Sequence, residues 1–102
     1  MENRILIIPK KAKPIIDRTE LGNGSVFLLL CLEAMPIWVA GIVPGSVWDM
    51  EQFAGWVAFE RPVQKVESAK RLGVFFPERE LAVIHAEEMI TFAQEELFPG
   101  SH

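Results

Sequence analysis

Two apolar runs set the pattern of this chain. Val26-Phe27-Leu28-Leu29-Leu30-Cys31-Leu32 does not alternate with polar residues at all, and Ile37 to Val43 contains no polar side chain. Both are of ordinary strand length, and Trp38, Val39, Ile42 and Val43 favour a pleated surface. They read as a central pair of strands joined by Glu33 to Pro36. A strand wetted on one side alternates in character, so these two predict cover on both faces of their sheet.

The same stretch invites a membrane reading, because Ser25 to Val43 carries only Glu33 as a charge and about 19 residues can cross a bilayer as a helix. Glu33-Ala34-Met35-Pro36 breaks it in the middle into two strand-length pieces, which favours the sheet.

On the N-terminal side, Arg4 to Ile8 reads as a first strand stopped by Pro9, followed by a solvated Lys10 to Lys13 loop. Ile15 to Leu21 fits a strand that turns back across Gly22-Asn23-Gly24, or a short helix between Pro14 and Gly22. The strand is the reading adopted. Beyond Val43 the period changes. Ser46, with Asp49 three residues on, makes a helix start, and that helix is expected to reach about Phe59. A second helix is expected over Pro62 to Leu72, and Val74-Phe75-Phe76 as a short link or edge strand. From Pro77 to about Phe98 the chain is amphipathic at 100° per residue. Leu81, Ala82, Met89, Phe92, Ala93 and Leu97 share an arc, widened by Ala86, Val83 and Ile90. Glu80, Glu87, Thr91, Gln94, Glu88 and Glu95 oppose it.

Strands first and helices after predict an α+β domain over residues 1–99, with 100–102 as a disordered tail or tag remnant. Its expected build is a small, mostly antiparallel sheet of three to four strands in the N-terminal half, packed by two to three C-terminal helices. That many helices cover one face of such a sheet well and two faces poorly. A second copy or a partner is therefore expected to complete the burial.

Composition narrows the class. The chain has 102 residues, half of them hydrophobic and 24% charged, which excludes a disordered tail and fits one domain. A net charge of −4 and a pI near 5.1 argue against a nucleic-acid binder. Cys31 is the only cysteine, so no intrachain disulfide forms. Met1 to Arg4 lacks a signal-peptide pattern, and a reducing cytoplasm is the expected compartment. Charge is unevenly spread: residues 21–59 contain no Lys or Arg, whereas residues 74–102 hold six Glu against Arg79 alone.

Candidate chemistry is sparse. No spacing assembles a catalytic set or a metal site, and no cofactor is expected. Cys31 among leucines reads as an inert buried thiol. Gly41 to Ser46 has the outline of a phosphate loop without its Lys. Two stripes remain. Glu80, Glu87, Glu88 and Glu95 form an acidic face suited to a basic partner. Trp48, Gln52, Gly55 and Phe59, at spacings of four, three and four, form an aromatic line on the expected middle helix, suited to a partner or dimer interface. Ser46 and His85 are further ligand or interface candidates. The reading favoured is a non-enzymatic protein-binding module, of an inhibitor, immunity or adaptor type. It would meet another protein with a basic surface, a second copy of itself, or both, and nucleic acid and membranes are not expected partners. The alternative is a homodimeric small-ligand-binding or small enzymatic domain with its site at the Pro44 to Trp48 turn.

Overall fold

Both apolar runs are inner strands of one antiparallel meander. The computed structural model describes residues 13–48, 54–63 and 73–99. Among these, β1 (Ile15–Glu20), β2 (Val26–Leu32), β3 (Met35–Pro44), β4 (Trp56–Pro62) and β5 (Gly73–Phe76) pair in sequence order. A four-residue helix, α1 (Gly45–Trp48), follows β3, and a long helix, α2 (Arg79–Leu97), follows β5. The α+β class stands, and the described residues hold five strands where three to four were expected and one long helix where two to three were. The expected strand at Arg4 to Ile8 lies outside the described residues.

Turn chemistry fixes the register of the first two hairpins. Leu21 N–H donates to the Ser25 carbonyl at 2.9 Å, closing a loop of Gly22, Asn23 and Gly24. Gly24 takes a left-handed φ of 92°, the conformation that ends a three-residue hairpin loop and that glycine adopts without steric cost. The β2–β3 turn is tighter: Leu32 pairs with Met35, leaving Glu33 and Ala34 at φ 54° and 69°. A two-residue turn that matches strand twist needs both central residues left-handed, which suits Asn-Gly far better than Glu-Ala. Ala34→Gly is therefore expected to raise stability by roughly 0.5–1 kcal/mol. Urea unfolding checks this, and an unchanged or lower midpoint would count against the strain.

One sheet face is the helix face. Val26, Leu28, Leu30, Ala40, Ile42 and Ala58 meet Ala82, Ala86, Ile90 and Phe98 in the main core. The helix contributes mostly alanines there, so its backbone lies close to the sheet, and Ile90 is its largest fully buried side chain. Two arginines fasten the first hairpin to the helix. Arg18 Nη1 donates to Glu87 at 3.0 Å. Arg79 Nε donates to the Gly24 carbonyl at 2.9 Å, and its guanidinium lies over the Trp56 ring. Such exposed pairs contribute about 0–1 kcal/mol each, so they orient the helix while apolar burial holds it.

The opposite face has its own core. Val39, Val43, Val57 and Phe59 are buried there, with Phe27, Leu29, Trp48 and Val63 packed around them. Phe27 and Phe59 both pair with Gly41, and their rings meet edge to face across it at 6.1 Å. Helix α2 covers the first face, whereas on this second, more open face Phe27, Leu29, Trp48 and Val63 are half-buried.

The structure corrects the expected middle helix. Helix α1 is described over Gly45–Trp48, residues 49–53 of the expected middle helix lie outside the described residues, and Trp56 to Pro62 is a strand whose pairing with β3 runs from Pro44↔Trp56 to Trp38↔Pro62. Gly45 N–H donates to the Gly55 carbonyl at 2.8 Å, so the chain returns to β3 close to where it left. The expected second helix also loses its start, since Pro62 ends β4 and Val63 N–H donates to the Ile37 carbonyl at 3.1 Å. Residues 64–72 of that expected helix lie outside the described residues.

Candidate functional site

Alanine on the inner side of α2 leaves larger apolar residues outside. Leu81 is 45% exposed, Ile84 50% and Phe92 63%. Ile84, Glu88 and Phe92 are four residues apart in turn, so they stand in one row along the helix. Glu87, Glu88, Thr91 and Glu95 join Ile84 and Phe92 in lining a shallow groove of about 360 Å³. The wheel places Leu81, Phe92 and Leu97 in the buried arc, and the structure corrects this, because all three are exposed. Ile84 escaped the sequence reading altogether, although its position opposite Ala82, Ala86, Ala93 and Ile90 is visible once the small residues are taken as the contact face.

The acidic stripe is divided by the sheet. Glu80, Glu88 and Glu95 are exposed, whereas Glu87 is engaged by Arg18, which also donates to Glu20 at 2.9 Å. Between α2 and β1, a smaller cleft of about 180 Å³ is lined by Arg18, Arg79, Glu80, Val83 and Ile84. His85 is half-buried, with its ring 5.2 Å from that of Phe76 on β5. It therefore packs against the sheet edge.

The aromatic stripe does not exist as a helical line. Trp48 and Phe59 do meet, stacked at 5.3 Å, but from α1 and β4 and within the open-face core. Gly55 is buried just before β4, and Gln52 lies outside the described residues. Ser46 is exposed on α1, away from the α2 groove. On the open sheet face, Thr19, Phe27, Leu29, Val39, Arg61 and Val63 line another groove of about 440 Å³.

Cys31 is buried. Burial pushes its thiol pKa up, and the nearby Asp17 carboxylate, 3.8 Å from the sulfur, adds to the shift. A thiol kept protonated is a poor nucleophile. Cys31 is expected to react with a disulfide reagent at least about tenfold more slowly in the folded chain than after unfolding. A raised folded pKa also means that this group's stabilisation is complete below the unfolded value and disappears as pH rises through the folded one. The alkaline fall in stability should thus be smaller in Cys31→Ala. Equal thiol rates in folded and unfolded protein would contradict the burial.

Among the described residues, no group of three or more His, Cys, Asp and Glu is placed to hold a metal ion. Among those residues also, no helix is long and apolar enough to cross a membrane. Compared with protein-family models, curated proteins and solved structures, the chain matches none.

Proposed function

We propose that this protein is a non-enzymatic protein-binding module that works through the outer face of α2. One observation carries the reading: Ile84 and Phe92 lie exposed in a row, with carboxylates beside them, on a helix whose other side is anchored in the core. Scattered surface apolar residues are ordinary, but two large ones lining one groove, with carboxylates between and beside them, combine the apolar and charged elements of an interaction surface. A rigid helix presenting that row also spares a partner the entropy of ordering it.

Ile84→Ser with Phe92→Ser tests the reading. Both positions face solvent, so stability should change by no more than about 0.5 kcal/mol per site. Capture of a stoichiometric second polypeptide from the source cells should fall at least about tenfold, as when central interface residues are truncated. Undiminished capture would exclude this face.

A further inference from the structure

The occupant of the α2 outer face is constrained by charge. Helix α2 carries five Glu and a single Arg. That residue, Arg79, is turned onto Gly24, Glu20 and Trp56, and Glu87 is held by Arg18. Glu88 remains between Ile84 and Phe92, and Glu95 beside Phe92. Seven residues apart, they sit roughly 10.5 Å from each other along the axis on the same side of the helix.

We propose that this face docks an amphipathic helix of another protein, one whose apolar side meets Ile84 and Phe92 and whose Lys or Arg residues lie beside Glu88 and Glu95. The inference rests on reading α2 as a docking surface and names its partner. A helix fits because side-chain rows spaced by four pack into the grooves of a facing helix, and cations one heptad apart repeat the spacing of the two carboxylates. A second copy fits badly. Glu88 stands midway between Ile84 and Phe92, so two copies meeting through those residues would bring uncompensated carboxylates into a desolvated contact. An anionic lipid surface is repelled for the same reason.

The probe is a synthetic helical peptide with leucine along one face and lysine on its flanks, titrated against the full chain by fluorescence anisotropy. A glutamate-for-lysine counterpart is the control. The lysine peptide should bind, more weakly at high salt, and the glutamate peptide should not. Affinity should fall at least about tenfold in Ile84→Ser/Phe92→Ser and, separately, in Glu88→Gln/Glu95→Gln. Glu88→Lys/Glu95→Lys should reverse the preference between the two peptides. Absence of lysine-peptide binding, or binding indifferent to Ile84 and Phe92, overturns the inference. So does self-association of the wild-type chain that Ile84→Ser/Phe92→Ser abolishes, since a second copy would then be the occupant. Cellular capture that needs Ile84 and Phe92, without lysine-peptide binding, overturns the basic helix and leaves the docking reading in place. Capture that ignores both residues removes that reading as well.

Discussion

Ile90→Ala is expected to lower the unfolding free energy by about 3 kcal/mol, among the largest losses available to one substitution in this chain. Ile90 is 2% exposed and is the largest fully buried side chain on α2; its buried neighbours there are Ala82, Ala86 and Ala93. Truncation removes buried apolar area and leaves a void that the neighbouring alanines cannot fill, because a methyl group has no rotamer that reaches into it. A domain of this size should lose roughly 12–24 °C in melting temperature. Ile84→Ala is the natural companion, since Ile84 is half exposed on the same helix, and it should cost less than about 0.5 kcal/mol. Calorimetry or a circular-dichroism melt distinguishes them. Similar losses at both positions would mean that α2 docks through a different face.

Gly41→Ala is expected to be nearly as damaging, for the opposite physical reason. A Cβ on Gly41 would lie 2.7 Å from the Val26 carbonyl oxygen and 3.0 and 3.2 Å from the rings of Phe27 and Phe59. The rings can tilt. The carbonyl cannot, because it belongs to the backbone of the neighbouring strand in the middle of the sheet. Relief requires β2 and β3 to move apart, and overpacking of this kind costs about 1–3 kcal/mol or more. Gly22→Ala is the contrast: nothing lies within 4 Å of the added carbon, and a less flexible unfolded chain should leave stability unchanged or slightly raised. Chemical denaturation of both variants checks the pair. A Gly41→Ala protein as stable as the parent would show that the strands are not so closely apposed.

The contrast between strands and helices in this chain shows what a sequence makes legible. Val26–Leu32 was readable to the residue because an unbroken apolar run of strand length lies between Gly-Asn-Gly and the Glu33 to Pro36 connection, which also divides the longer stretch that invites a membrane helix. Trp56–Pro62 was missed although its Trp, Val and Phe are good strand formers. A strand buried on both faces has no period of two, and its apolar positions can be fitted to a helical spacing with residues from the preceding segment. Only its pairing with β3 decides the matter, and that contact is not local. On α2 the extent of the helix was clear, but the buried side was not. A wheel that gives every apolar residue the same weight turns Phe92 and Leu81 inward, whereas close approach to a sheet selects alanine. The acidic half of the candidate surface was therefore legible, and its apolar half was visible only after packing.

Among the described residues each strand pairs with its neighbour in the chain and α2 follows them all. A released polypeptide truncated after Pro77 would therefore keep these strands but lose the helix that covers Val26, Leu28, Leu30, Ala40 and Ile42, and it should aggregate or recruit a chaperone.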